Sequence, residues 1–352
     1  MKLLLIVNAS ASSVTARSRV VIQRMLASEH DVELAETSRR GHATRLARGA
    51  PAEGFDVVAV LGGDGTLNEA ANGLAGTPTA LAPLPGGSTN VFARTIGLPN
   101  DPVEAAESTL ESLRRSSITP FGLGSVDARY FLFHVGIGLD AAVVARVERY
   151  PSLKRWAGHP LFIASTLLSW SRDLDRANPA MTLHLGGPDR GVGAGNDARA
   201  GGDRSEADAG PGDEVVGGGY LAIVSNTTPY TFVGNHPLVI APDADPDRGL
   251  SVTMVRTIRL APFLGLMSSM FRSGARFRTS RHALHRAGVG HLDVRCDPPL
   301  HYQVDGDHLG EVDRLVFRHE PGAIRLVRPV VTNPSAPAGA DGRRAAQPDA
   351  KP

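Results

Sequence analysis

Cysteine occurs once in the 352 residues, at Cys296, so no internal disulfide can form, and a reducing compartment suits the chain. Net charge is nearly absent as well: 37 Lys and Arg against 36 Asp and Glu leave a formal +1. A chain so balanced carries no global field toward nucleic acid or a strongly acidic partner, and no nucleic-acid partner is expected. Long apolar runs are missing too. Nothing approaches the roughly 18 uninterrupted apolar residues of a spanning helix, and the N-terminal run Leu3–Val7 is too short for a secretory signal core. The expectation is a cytoplasmic protein that meets membranes only at their surface.

What is present is enough apolar residue, 42%, for roughly two domains of about 150 residues each. Over the first 120 or so positions, short apolar runs alternate with helical patterns. Leu3–Val7, Val32–Glu36, Val57–Leu61 and Thr79–Leu84 read as strands. Arg17–Ser28, Ala43–Arg48, Leu67–Leu74 and the stretch from Val91 read as helices. This spacing predicts parallel βαβ units and a doubly wound sheet.

From about Phe121 the pattern turns β-rich, with strands expected at Tyr130–Val135, Met181–Leu185, Gly219–Val224, Leu250–Val255, His291–Arg295 and Leu315–Phe317. The expected division is a nucleotide-binding α/β domain over 1–121, completed by about 316–328, and a β-rich substrate domain over 122–315. A Gly/Asp/Ala-rich insert at about 186–212 and a Pro/Ala tail at 329–352 are too poor in large apolar residues to join a core.

Two glycine-rich segments carry the chemistry. Strand Val57–Leu61 runs into Gly62-Gly63-Asp64-Gly65-Thr66, followed by Leu67, Asn68 and Glu69. Strand Thr79–Leu84 runs into Pro85-Gly86-Gly87-Ser88-Thr89-Asn90. Each glycine turn lies at the carboxyl end of a strand and ahead of a helix, where open α/β sheets bind ligands and amides approach anions closely. Two such loops side by side point to a nucleotide. Neither has the Gly-Lys-Ser/Thr of a Walker A loop, the first is not a dinucleotide G-x-G-x-x-G, and Ser88 lacks the flanking pattern of a hydrolase nucleophile elbow.

The pair G-G-D-G-T-L-N-E and P-G-G-S-T-N-V-F-A, after an N-terminal L-L-I-V-N-A-S, resembles the diacylglycerol kinase catalytic-domain family, which includes bacterial soluble diacylglycerol kinases and sphingosine kinase-like lipid kinases. Thr37 with Gly41-His42-Ala43, Gly136 to Asp140, Ser225-Asn226, Pro242-Asp243-Ala244 and Val304-Asp305-Gly306-Asp307 extend the likeness along most of the chain. The resemblance implies a phosphofructokinase- and NAD kinase-like α/β domain plus a C-terminal β-sandwich, with ATP and Mg²⁺ in the cleft. It assigns nucleotide contacts to Asn8, Ala9, Ser10, Ala11, Ser12, Thr37, Gly62, Gly63, Asp64, Gly65, Thr66, Leu67, Asn68, Glu69, Gly87, Ser88 and Asn90. Asp64 is placed at the centre, orienting the metal or the acceptor hydroxyl. Asp307 is the proton acceptor, with Asp305 behind it. Asp245 and Asp247 correspond to a structural magnesium loop, although Arg248 replaces its second aspartate.

The implied activity is transfer of the γ-phosphate of ATP to a hydroxyl of diacylglycerol, a sphingoid or a related lipid. A NAD kinase-like enzyme and a non-catalytic nucleotide- or lipid-binding protein are the alternatives, and a homodimer is compatible with either. Leu260, Phe263, Leu264, Met267, Met270 and Phe271, followed by Arg272, Arg276, Arg278 and Arg281, read as a packed helix with solvated charge or as a face for anionic lipid. Pro160–Trp170 is a second apolar segment that could line an acyl pocket. His134, inside an apolar strand pattern, reads as a core histidine.

Overall fold

The structure is a computed structural model that describes residues 1–138, 141, 180–186 and 214–330. The apolar segment 160–170, most of the Gly-rich insert and the tail beyond 330 lie outside the described residues.

Four parallel strands, β1 (Lys2–Val7), β2 (Asp31–Glu36), β3 (Val57–Gly62) and β4 (Ala80–Pro85), stand in the order β4-β3-β1-β2. Buried on both faces, β3 and β4 read as near-continuous apolar runs, as central parallel strands do. Alternate residues feed two cores. Leu4, Ile6, Val58, Val60 and Leu81 pack with helices α2 (His42–Gly49) and α3 (Asp64–Leu74). Leu3, Leu5, Val57, Ala59, Ala82 and Leu84 pack with α1 (Ala16–Ala27) and α5 (Pro102–Arg114). A short α4 (Val91–Thr95) lies between β4 and α5. The helices thus cover both faces, the doubly wound arrangement the spacing predicts.

The remaining strands pair antiparallel except at the end of β16: β5 (Ile118–Val126), β6 (Arg129–Phe131), β7 (His134–Gly138), β8 (Met181–Gly186), β9 (Glu214–Gly219), β10 (Leu221–Ser225), β13 (Leu250–Val255), β14 (Ala283–Val289), β15 (His291–Val304) and β16 (Asp307–Val327). A separate hairpin pairs β11 (Thr231–Val233) with β12 (His236–Leu238). β15 builds the sandwich by serving two layers: its first half pairs with β8, and its last residues pair with β7. The layers close over a core that includes Ile137, Val224, Met254, Leu183, Leu292 and Phe317. β16 reaches back, pairing with β15 first, then β5, and ending parallel to β4 through Arg325 and Leu326.

Several elements differ from the sequence reading. The helix after β3 starts at Asp64 rather than Leu67, so the glycine segment is half loop and half first turn. Gly219–Val224 divides into the end of β9 and the start of β10, and β5 and β14 are additional strands. Tyr130–Val135 is not one strand but the end of β6 and the start of β7, with Leu132 and Phe133 between.

The cause of that last break is Asp305. Its Oδ2 accepts the amide N–H of Leu132 at 2.7 Å, and Oδ1 accepts those of Phe133 and His134 at 3.0 Å each. Three consecutive amides turned toward one carboxylate cannot continue a ladder. Asn68 Nδ2 on α3 donates to the same carboxylate at 2.7 Å. Asp305 and Gly306 form the β15–β16 turn with φ of +48° and +86°, the double positive φ of a tight hairpin. His134 is a core histidine: burial lowers its pKa to about 3, and its ring lies 4.3 Å from that of Tyr230.

Replacing Asp305 with alanine would orphan three buried amides and remove one of the two acceptors of Asn68 Nδ2. An Asp305→Ala protein is therefore expected to lose about 3 kcal/mol or more in chemical denaturation. Burial also pushes the Asp305 carboxyl up to about 6 from the ordinary 3.8, against the pull of its four N–H donors. The native state then holds this proton more tightly than the unfolded chain does. The associated stability is full below about pH 4 and is lost as pH rises through about 6. Thermal melts of wild type and Asp305→Asn across this window should show a stability difference that changes with pH. A constant difference would show that the carboxyl titrates elsewhere.

Candidate active site

β3 and β4 carry the two glycine segments to neighbouring strand ends, where the loops touch. The Gly86 N–H donates to the Gly62 carbonyl at 2.8 Å. A Cβ on Gly86 would stand 2.7 Å from Val14 Cγ2 and 2.9 Å from Gly62 N, and one on Gly87 would stand 2.8 Å from Gly63 Cα. The requirement for glycine at these two positions is therefore close approach of backbone to backbone.

Asp64 locks the arrangement. Its Oδ2 accepts the Val91 amide at 2.9 Å and its Oδ1 the Phe92 amide at 3.0 Å. These are first-turn amides of α4, which lacks a side-chain cap of its own because Asn90 sits there in the left-handed region at φ +51°. A carboxylate from the first loop thus caps the helix of the second. Enclosure between the loops raises the Asp64 pKa above its ordinary value, while the amides of Phe92, Val91 and Asp64 itself pull the other way. The Asn90 side chain closes the second loop on itself, its Oδ1 accepting the Gly87 N–H at 2.7 Å and its Nδ2 donating to the Gly87 carbonyl at 2.9 Å.

The end of β1 completes the rim. Asn8 Nδ2 donates to Thr66 Oγ1 at 2.9 Å, and Asn8 Oδ1 accepts the Ser10 amide at 3.1 Å. Ser13, which no motif flags, donates its amide to the Gly86 carbonyl at 2.9 Å and its hydroxyl to the Gly87 carbonyl at 3.0 Å. Asn8, Ala11, Ser12, Gly63 to Thr66 and Gly87 to Thr89 line a cleft of about 340 Å³. Ala9 and Ser10 are exposed on the same loop, and Thr37 follows β2 with its amide donating to the Val7 carbonyl at 2.9 Å.

Three positions expected at the cleft turn elsewhere, because they already lie on α3. Leu67 is in the core. Asn68 bonds Asp305. Glu69 caps α2, its Oε1 accepting the Gly41 amide at 2.8 Å and its Oε2 that of Ala43 at 3.2 Å.

Asp307 is linked to Asn68 of α3 through Arg129, whose guanidinium bonds both side chains. Its carboxylate is held between two cations: Arg40 approaches Oδ1 at 2.8 Å and Arg129 approaches Oδ2 at 3.2 Å. Arg129 also donates to Asn68 Oδ1 at 3.2 Å, whereas Arg40 reaches in from a loop with 71% of its side chain exposed. Neither arginine has a local signature. Arg40 precedes the Gly41-His42-Ala43 match by one residue, and that adjacency is the only signal that could have found it.

The donor sets do not fit a magnesium ion held by protein. Asp245 Oδ1 accepts the Asp247 amide at 2.9 Å, and the Arg248 guanidinium stands 3.3 Å from Asp245 Oδ2 where the loop would need another acid. Asp64 is a single carboxylate with both oxygens oriented by amides, and no cluster of three metal-ligating side chains exists among the described residues.

A doubly wound α/β domain with paired glycine loops at its strand ends, joined to a β-sandwich, is the class this architecture defines. The diacylglycerol kinase catalytic-domain model matches residues 2–126, a segment holding both loops. A diacylglycerol kinase of Bacillus subtilis is 35% identical over 122 residues, a match spanning 34% of this chain and 39% of that protein. A Pseudomonas aeruginosa protein named "Probable lipid kinase YegS-like" is 28% identical over 335 residues, covering 93% of this chain and 94% of its own. In structure, a crystallised diacylglycerol kinase of Bacillus anthracis superimposes with a TM-score of 0.63 at 19% identity, over 93% of this chain and 96% of that one, which shows a shared fold.

If the loops act as one unit, a methyl group between them is enough to spoil it. Gly87→Ala is expected to weaken binding of a fluorescent ATP analogue at least tenfold while shifting the melting temperature only slightly. An unchanged affinity would place the nucleotide elsewhere.

Proposed function

We propose that this protein is an ATP-dependent lipid kinase that transfers the γ-phosphate to a hydroxyl of diacylglycerol, a sphingoid or a related lipid. The observation that carries the reading is the pair of glycine loops locked by Asp64, with the Arg40–Asp307–Arg129 cluster tied through Arg129 to Asn68 on the same helix α3. Amides of Gly63, Gly65 and Ser88 would hold the phosphates, and the hydroxyls of Ser12, Thr66 and Ser88 would fix their orientation. The acceptor oxygen attacks the γ-phosphorus as the bond to the β-phosphate oxygen breaks, its proton passes to Asp307, and ADP leaves. The names of the Bacillus and Pseudomonas relatives favour a lipid acceptor.

For Asp307 to take a proton, at least one arginine has to turn away, and the transferring phosphoryl group is a natural destination for a guanidinium. The same pairing favours a second reading, a nucleotide- and lipid-binding protein without transfer, in which the arginines never release the carboxylate.

Transfer of labelled γ-phosphate to a panel of lipid alcohols in mixed micelles separates the two. The kinase reading expects a labelled lipid whose formation in Asp307→Asn falls about 10²- to 10⁴-fold in kcat, with little change in KM for ATP. Lipid binding with no product supports the second reading, and phosphorylated NAD in place of a labelled lipid overturns both.

A further inference from the structure

Helix α6 (Leu260–Met270) has two apolar stripes, and only one of them is used. Phe263, Leu266 and Met270 point inward and pack with Leu221, Ile223, Val255, Ile240 and Phe277. Leu260 and Leu264, with Phe271 at the C-cap, recur at spacings of four and seven, which places them on one helix face. Their exposures are 56%, 44% and 41%, and they account for three of the eight exposed large hydrophobic side chains among the described residues.

Charge is concentrated around this stripe. From Arg256 to Arg281 the chain contains six arginines and no acidic residue, although the whole protein is at +1. Arg278 is taken by Asp243. Arg256, Arg259, Arg272, Arg276 and Arg281 are exposed, and none is in an ion pair among the described residues. The arginines flank both ends of the helix, so cationic groups frame the apolar stripe.

The helix is also connected to the cleft. The Met270 carbonyl accepts the Val239 amide at 2.8 Å, and the Phe271 carbonyl lies 2.7 Å from His236 Nε2, so the C-terminal end of α6 is fastened to the β11–β12 hairpin. On the other side of that hairpin, the Phe232 ring sits 3.8 Å beneath the Arg94 guanidinium of α4, the helix that follows the second glycine loop.

We propose that α6 is the element by which the protein docks on an anionic bilayer, Leu260, Leu264 and Phe271 entering the interfacial region and the flanking arginines engaging lipid phosphates. Charge complementarity selects this occupant: an all-cationic rim suits a sheet of phosphates and repels a second copy of itself. An amphipathic helix of this composition lies in the plane of the interface, and its grip combines apolar burial with attraction to anionic headgroups. The inference deepens the lipid-kinase reading and rests on it only for its purpose, since a lipid acceptor has to be drawn from a bilayer.

The test is co-sedimentation of the full chain, without nucleotide, on vesicles of pure phosphatidylcholine and of phosphatidylcholine with one-third phosphatidylglycerol. The expected result is binding to the anionic vesicles that weakens with added salt and falls at least tenfold in Leu264→Asp/Phe271→Asp and in Arg272→Glu/Arg276→Glu. Melting temperature and turnover of a monomeric short-chain lipid acceptor should stay unchanged in both variants. Equal binding to both vesicle types, binding unaffected by the substitutions, or a wild-type dimer dissolved by them without vesicle binding would each overturn the proposal. Vesicle binding with no lipid phosphorylated would leave the docking face standing and remove the kinase reading. Phosphorylation of the short-chain acceptor with no vesicle binding would do the reverse.

Discussion

Four N–H groups from distant parts of the chain converge on the Asp305 carboxylate: one from α3, three from the bend between β6 and β7. Asp305 itself sits in the turn of the β15–β16 hairpin. A buried acceptor with four donors is costly to rearrange, because any partner left behind is orphaned away from water. It therefore fixes the relative placement of α3, the bend that follows the β6 strand of Arg129, and the hairpin carrying Asp307. The placement of Asp307, two residues beyond Asp305 in the same hairpin, follows from this constraint.

Charge is used in two distinct ways along this path. Asp64 and Glu69 accept amides that begin neighbouring helices, so each acidic side chain supplies a cap that the next element lacks. Asp307 instead faces guanidinium groups, one of them on a largely exposed side chain. The first kind of contact is rigid and structural. The second is held by long side chains in partial contact with water, where an ion pair is worth little and is readily exchanged for another. A site that has to admit and release a charged ligand places its exchangeable contacts where the second kind lies.

The parallel strands were legible because burial on both faces leaves continuous apolar runs, as in Val57–Leu61. The glycine segments were legible because close approach admits no other residue. What escaped depended on long-range partners. Tyr130–Val135 has the composition of a single strand, and only a carboxylate more than 170 residues away divides it. β16 is 21 residues long, but its polar, half-exposed alternation hid all except Leu315–Phe317. Apart from the adjacency of Arg40 to the Gly41-His42-Ala43 match, the pairing of Arg40 and Arg129 with Asp307 has no sequence signal, since nothing local distinguishes an arginine that folds onto an acid from one that faces water. Glu69 sits in the motif that predicts a cleft residue, whereas helical geometry from Asp64 turns it toward α2.

The last stretch of β16 has a consequence for how the chain is made. β4 is flanked on one side by β3, and among the described residues its other edge is closed by Arg325 and Leu326. During synthesis, residues 2–126 emerge long before that closing strand exists, so the nascent α/β sheet presents an open, apolar edge while some two hundred further residues are added. Completion of the amino-terminal half waits on the carboxyl-terminal one, which couples the two halves in time as well as in space. A ribosome pausing late in this message would hold a half-finished sheet ready to pair with the wrong partner.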